Sequence, residues 1–283
     1  MSKLKFKLAA FADEAASSID EQIKAMKENE ISMLEIRGVD GQNIADISAQ
    51  KAKETRKKLE DAGLAVWSLS SPFGKIGIND DFSAHLDKFK KNLETAQILG
   101  AKHIRLFSFY GANGEAEKYK AKVFSQLQAF VDAAKGSGIV LCHENEKGIY
   151  GDVASRCLEI HQAVPELKAI FDPANFIQSG QDTLEAWKML SPYVEYLHIK
   201  DALSDGSVVP AGKGQGNLPY ILSNYKGEVL TIEPHLAVFE GFDKLEDKQK
   251  SQMNKYTYPS SRAAFDAAVE ALKELKEVNY EAN

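Results

Sequence analysis

Cysteine is nearly absent: Cys142 and Cys157 are the only two in 283 residues. They do not form a CxxC pair, and two thiols make no disulfide framework, so a reducing cytoplasm is the expected setting. No uninterrupted apolar run approaches the ~20 residues of a membrane-spanning helix. The opening residues 1–10 alternate basic and apolar side chains and lack the continuous apolar core of a signal peptide. An excess of positive charge is missing as well: 35 Lys and Arg stand against 41 Asp and Glu, a net charge of −6. A nucleic-acid binder usually carries a basic footprint, and this chain has none overall. No linker rich in Pro, Gly or Ser and no low-complexity tract interrupts it, so residues 1–283 read as one domain. With 44% hydrophobic and 27% charged residues the composition is that of a globular protein.

What the chain does contain is one alternation repeated along its length. Short β-rich runs are expected at 5–11, 33–37, 65–70, 103–109, 139–144, 169–172, 194–200 and 229–233. Amphipathic helices are expected at 18–29, 47–62, 82–99, 115–135, 153–163, 183–190, 218–223 and 261–278. In the first helix Ile19, Ile23 and Met26 recur at helical spacing, and Gly63 and Gly100 stand where the second and third should stop. Alternating strand and helix implies a parallel sheet covered by helices. Eight such units match a closed (β/α)8 TIM barrel of parallel strands inside an outer ring of helices. A doubly wound open sheet that bound a dinucleotide would carry a glycine-rich first turn, whereas Phe11-Ala12-Asp13-Glu14-Ala15 has no glycine. The polar segment 237–259 is long for a barrel loop. Its Phe239, Phe242 and Tyr256 suit either a cover over the site or a contact with a second subunit, a homo-oligomer being the default expectation.

Function in such a barrel gathers at the C-terminal ends of the strands. Those ends read Glu35 and Arg37, Ser68 and Ser70, Arg105 and Ser108, His143 to Glu146, Asp172 and Asn175, His198 to Asp201, and Glu233 to His235. Polar groups that end apolar runs are costly to bury without partners, so their recurrence suggests a shared polar site. Glu144, Asp172, His198 and Glu233 end four consecutive strands and form a plausible metal set. Three carboxylates and an imidazole suit Mn2+ or Mg2+ better than a thiolate-loving ion, with Zn2+, Co2+ and Fe2+ also compatible. His85, His103 and His161 are assigned to packing, and His143, which alternates with Glu144 and should point away from the barrel axis, to packing or to support of the ligand residues from behind.

The motifs Leu141-Cys142-His143-Glu144-Asn145, Phe171-Asp172-Pro173-Ala174-Asn175, Leu197-His198-Ile199-Lys200-Asp201, Pro210-Ala211-Gly212-Lys213-Gly214-Gln215-Gly216 and Thr231-Ile232-Glu233-Pro234-His235 follow in order. With them the chain resembles the xylose isomerase-like TIM-barrel superfamily of sugar and sugar-phosphate isomerases and epimerases. The resemblance implies one divalent metal ion held by Glu144, Asp172, His198 and Glu233. It also implies that Glu144 and Glu233 move protons on opposite sides of the substrate. The metal would hold the carbonyl and adjacent hydroxyl oxygens and stabilise an enediolate. A carboxylate that faces a metal can act as a base only through a free second oxygen. Two departures stand out. Many members carry a histidine where this chain has Asn175, and many epimerases an arginine within the stretch that here reads Ala202-Leu203-Ser204-Asp205-Gly206.

An anionic substrate would then have to use Lys200, Arg37, Arg105 or Lys147. Lys200 is expected either to orient a substrate oxygen or to pair with a ligand carboxylate. Arg37 reads equally as a partner of Glu35 or as a substrate clamp, Arg105 as a site residue, and Lys147 as solvated. Trp67, Phe73, Phe107 and Phe109 offer either an apolar wall against a sugar face or core packing, Trp67 being kept with Asn175 among the substrate-binding candidates. Gly212 to Gly216 invites a phosphate reading, but it lacks the spacing of a nucleotide-binding P-loop, and a tight turn explains it better. The expected activity is isomerisation or epimerisation of a small sugar, keto-sugar or sugar phosphate, with no nucleic-acid or membrane partner. Its alternatives are a metal-dependent lyase or dehydratase of a keto-sugar or keto-inositol, and a non-catalytic sugar-binding barrel.

Overall fold

A computed structural model describes residues 6–237 and 256–281. Its strands are β1 (Lys7–Ala10), β2 (Met33–Ile36), β3 (Ala65–Leu69), β4 (His103–Leu106), β5 (Val140–Glu144), β6 (Lys168–Phe171), β7 (Val194–Ile199) and β8 (Val229–Ile232). They pair in sequence order, all in parallel, and β8 closes on β1, so the sheet is an eight-stranded barrel. The surrounding helices are α1 (Ile19–Glu28), α2 (Ala49–Asp61), α3 (Phe82–Leu99), α4 (Ala116–Ala134), α5 (Ala154–Ala163), α6 (Pro173–Gln178), α7 (Thr183–Leu190), α8 (Leu218–Asn224) and α9 (Ser261–Glu281). The expected TIM barrel is the fold observed.

Local chemistry explains where the helices begin. Ser18, Ser48, Asp81 and Asp182 each accept a hydrogen bond from a backbone N–H in the first turn of the helix that follows, satisfying a donor the helix cannot use itself. Fourth-strand pairing ends sooner than the expected 109. Beyond Leu106, the amides of Phe107, Phe109 and Tyr110 bond to Phe73, Gly74 and Ile76 in the loop after β3. Three features were not anticipated: α6, a hairpin pairing Gly38–Val39 with Gln42–Asn43, and a ribbon pairing Asp201–Ala202 with Val208–Val209. Of the long polar segment, Phe239 and Phe242 lie outside the described residues, and Tyr256 is exposed.

Side-chain alternation along the strands divides the core in two. Outward residues such as Leu34, Ile104, Leu141, Leu197 and Leu230 pack under the helices. Inside the barrel, Ala9, Cys142, Ile170, Tyr196 and Val229 form one apolar layer. Two residues further along β5, β6 and β7 come Glu144, Asp172 and His198, and four further along β8 comes Glu233. The apolar layer is therefore the floor on which the polar site stands. Phe73 and Phe109 belong to the outer core, in an aromatic cluster with Phe82, Phe89 and Phe130.

His143 faces outward, as the alternation predicts. Its Nε2 lies 2.9 Å from Ser108 Oγ, and burial pushes its pKa down to about 3. Below pH 6.5 the unfolded chain protonates this histidine while the folded chain does not, so stability falls as pH drops from about 6.5 towards 3. By pH 4.5 the loss from this group alone is about 2–3 kcal/mol. Urea midpoints of His143→Gln should accordingly vary less between pH 7 and 4.5 than those of the parent protein.

Candidate metal centre and active site

Glu144, Asp172, His198 and Glu233 meet at the C-terminal mouth of the barrel, each offering one ligand-type atom within 4.8 Å of the others. All four are buried, between 0 and 3% exposed. Asp172 gets there through the unanticipated helix: it is the N-cap of α6, with Pro173 in the first turn, and its Oδ1 accepts from Asn175 N at 2.9 Å. Asp followed by Pro is a helix-start signal visible in the sequence. Asn145 bonds both the N–H and the C=O of Asp172, fixing β5 to β6 at this point.

His198 sits at the centre of the cluster. Its Nδ1 is 2.9 Å from Glu144, 3.1 Å from Glu233 and 4.0 Å from Asp172. Its Nε2 faces the other way, 3.1 Å from Glu35 Oε2. Lys200 Nζ lies 2.8 Å from Asp172 Oδ2 and 3.1 Å from Glu233 Oε2. Arg105 donates to Glu144 Oε2 at 2.7 Å, and Asn175 Nδ2 donates to Glu144 Oε1 at 3.2 Å and to Asn145 O at 2.9 Å. Burial acts to raise the Glu144 carboxyl, but His198 and Arg105 beside it prevail and bring it down to about 2. For Asp172, burial prevails over Lys200 and takes it up to about 7.

Beside this cluster lies a second one. Arg37 pairs with Asp13 at 2.8 Å and Glu14 at 3.2 Å, and it stands 3.9 Å from Glu233 Oε1. The partner considered for it, Glu35, is turned inside the barrel instead. His235 Nε2 lies between Glu14 Oε1 at 3.4 Å and Glu233 Oε1 at 3.3 Å. Burial takes Glu14 up to about 8 against the pull of Arg37. A cation–aromatic ladder crosses the mouth: Lys75 lies 4.2 Å from the Phe107 ring centre, Arg105 4.8 Å from Phe107 and 5.5 Å from Phe11, and Arg37 4.7 Å from Phe11. Each stacking holds a cation where it faces the carboxylates.

Trp67 requires correction. Strand β3 carries one extra residue opposite β2, since Leu34 aligns with Val66 but Glu35 with Ser68, and a bulge re-aims side chains. Trp67 packs with Met33, Val140 and Tyr196 around the apolar floor, its ring 4.1 Å from His103. These neighbours come from the N-terminal ends of the strands, away from the mouth. Glu35 and His235 were expected only as polar strand ends, Glu35 also as a partner of Arg37, and Glu14 was not singled out. Glu14 reaches the site through a short 3-10 turn, Ala12–Glu14, in the stretch inspected only for its lack of glycine.

The four-residue set fits a divalent cation. Glu35, Glu144, Asp172 and Glu233 bring four carboxylates against the two fixed cations Arg105 and Lys200, an excess that a doubly charged ion balances. Asp172 Oδ2 is buried and faces the Lys200 ammonium at 2.8 Å, with His198 Nδ1 4.0 Å away. With Nε2 bonded to Glu35, His198 has Nδ1 to offer an ion.

The glycine-rich loop is already filled. Asp201 accepts hydrogen bonds from the N–H groups of Gly212, Gly214, Gly216 and Ala202 at 2.8–3.0 Å. A Cβ on Gly214 would stand 2.3 Å from Asp201 Oδ1, which is why glycine is needed there. The N–H groups that invited a phosphate are bound to the chain's own carboxylate.

The sequence profile described as Xylose isomerase-like TIM barrel matches residues 23–226, and the chain belongs to that family. Solved structures share the fold at low identity. The probable 3-DHS dehydratase AsbF of Bacillus anthracis is 16% identical with a TM-score of 0.72, covering 95% of this chain and 98% of its own. A D-tagatose 3-epimerase-like protein is 18% identical with a TM-score of 0.71, covering 98% and 99%. The IOLI protein, solved with a bound zinc atom, is 16% identical with a TM-score of 0.72, covering 96% and 99%. No curated protein matches the sequence at a significant level. Among the described residues no helix is long and apolar enough to cross a membrane.

Asp201→Ala removes the acceptor for four backbone N–H groups beside Lys200. Leaving such donors unsatisfied costs roughly 1–3 kcal/mol each where they stay dry, so denaturant unfolding should show a loss of at least about 2 kcal/mol. Unchanged stability would mean that the loop is not held by this carboxylate.

Proposed function

We propose that this protein is a divalent-metal-dependent enzyme that moves a proton on a carbon adjacent to a carbonyl of a small, uncharged carbohydrate or derivative, as an isomerase or epimerase. The convergence of Glu144, Asp172, His198 and Glu233 carries the reading. These four would hold the ion, with Mn2+ or Mg2+ best suited to an oxygen-rich set. When bound, it supplies Lewis-acid polarisation of a carbonyl oxygen and so acidifies the neighbouring C–H.

The two glutamates are unequal as bases. Both oxygens of Glu144 are engaged, Oε2 by Arg105 at 2.7 Å and Oε1 by His198 and Asn175. Glu233 turns Oε2 to His198 and Lys200 at 3.1 Å each, while among the described residues Oε1 has His235 at 3.3 Å and Arg37 at 3.9 Å. Glu233 Oε1 is therefore assigned to take the proton. Return of that proton by Glu233 to the neighbouring carbon, with the hydroxyl proton passing from one of the two oxygens to the other, gives an aldose–ketose isomerisation. Delivery of a second proton to the same carbon from a protonated Glu144 on the opposite side, Glu233 keeping the one it removed, gives epimerisation; it requires Arg105 to release Oε2 so that Glu144 can take up that proton beforehand. Lys200 and Asn175 hold Asp172, Glu233 and Glu144 in place, and substrate hydroxyls are left to their remaining donors and to Arg105 and Arg37. An uncharged substrate is favoured because Arg37, Arg105 and Lys200 already face carboxylates and the glycine loop is taken by Asp201.

Metal analysis of the purified protein, with Glu144→Ala and Asp172→Ala as controls, is the first test. One divalent ion per chain, lost in both variants, is expected. No uptake even from added metal would end the four-ligand assignment. Proton NMR in D2O with neutral ketoses and aldoses should then show metal-dependent exchange at the carbon beside the carbonyl. Glu233→Gln should slow that exchange by about 10²-fold or more while still binding sugar. Expulsion of water in place of exchange would identify a dehydratase.

A further inference from the structure

We infer that Glu35 is a positioning residue for the metal centre: from beneath His198 it fixes the imidazole so that Nδ1 is turned to Glu144, Asp172 and Glu233, and Tyr196 and Ser68 in turn fix Glu35. The inference rests on the metal reading above and adds a residue that lies outside the four-ligand set.

Glu35 is on β2 and His198 on β7, so the contact spans the barrel interior. The Glu35 side chain is 0% exposed, and among the described residues His198 is its only ion-pair partner within 4 Å. A carboxylate buried in a barrel with neither lysine nor arginine within 4 Å is expensive, and such a group persists where its hydrogen bonds are complete and something depends on it. Both of its oxygens are used. Oε2 is 3.1 Å from His198 Nε2, and Oε1 accepts from the Tyr196 hydroxyl at 3.0 Å. That hydroxyl is also 3.1 Å from Ser68 Oγ. With the phenol proton given to Glu35, Tyr196 accepts from Ser68, and the chain runs Ser68 to Tyr196 to Glu35, met from the other side by His198. Tyr196, Ser68 and His198 are each fully buried, so no water competes for these bonds.

The consequence for His198 is one of orientation. Donating Nε2–H to Glu35 leaves the Nδ1 lone pair pointing into the ligand set. The edge of Phe11 against the ring, 5.2 Å between centres, restricts rotation from another side. The β3 bulge is part of the arrangement, because it aligns Ser68 with Glu35 across the β2–β3 ladder.

The test is a Mn2+ titration followed by electron paramagnetic resonance on the full-length protein, its Glu35→Ala, Glu35→Gln and Tyr196→Phe variants, and Asp172→Ala, each checked for folding by circular dichroism. Orienting partners of this kind are worth about 10- to 100-fold in metal affinity, and a loss of that size is expected for Glu35→Ala. Glu35→Gln should lose less, since its amide oxygen still accepts from Nε2, and Tyr196→Phe should lose a few-fold. In 15N-labelled, Zn2+-loaded protein the His198 Nε2–H resonance should be shifted downfield and slow to exchange, and Glu35→Ala should abolish it. A folded Glu35→Ala protein that binds Mn2+ within twofold of the parent overturns the inference. If that variant fails to fold, unchanged affinity and an unchanged histidine resonance in Glu35→Gln and Tyr196→Phe overturn it equally. A parent protein that binds no ion overturns the metal reading and this inference together, whereas loss of binding in Asp172→Ala but not in the Glu35 variants overturns this inference alone.

Discussion

Repulsion between carboxylates shapes this molecule's mouth. Glu35, Glu144, Asp172 and Glu233 are brought together where water is largely excluded, and like charges at such distances raise one another's cost of ionisation. The surrounding residues answer that repulsion. Arg105 is set against Glu144 and Lys200 against Asp172 and Glu233, while His198 is wedged between three of the acids. The aromatic rings of Phe11 and Phe107 hold the guanidinium groups in the directions this requires.

The barrel makes the convergence possible chiefly through register, with α6 and Asn145 fixing Asp172. Residues two apart share a face of a strand, so an apolar ring at one level fixes which residues form the polar ring above it. Cys142 and Glu144, Ile170 and Asp172, and Tyr196 and His198 are such pairs. The fold was legible for the same reason. Helices 82–99 and 183–190 fall where expected: Gly100 stops the first as its place in the sequence suggested, and the structure adds Asp81 and Asp182 as the caps that start them. The four central residues were legible as strand ends in a set order. What strand order cannot convey is where the remaining charges turn. Arg37 turned to Asp13 and Glu14 and not to Glu35, since a short 3-10 turn brings Glu14 over the mouth. Trp67 left the mouth because a one-residue bulge re-aimed it, and a bulge leaves little trace in the pattern of residue types.

The glycine-rich stretch illustrates a related limit. Its composition describes a backbone able to present N–H groups to an anion, and the structure bears out that ability. The anion is Asp201, eleven to fifteen residues earlier, and a loop satisfied internally becomes a clamp on the residue next to Lys200. Composition reports the capacity of a loop, and only tertiary placement reports what fills it.

The carboxylates and cations are also unevenly distributed around the rim. Glu144, Asp172 and Glu233 rise from β5, β6 and β8, while the guanidinium groups of Arg37 and Arg105 come from the β2 and β4 side. Each guanidinium nevertheless has acids beside it, Arg37 with Asp13 and Glu14 and Arg105 with Glu144, and Lys200 stands among the carboxylates. Opposite charges a few ångströms apart largely cancel at longer range, so a molecule at the opening is sorted by short-range donors and acceptors, guanidinium N–H groups from one side and carboxylate oxygens from the other.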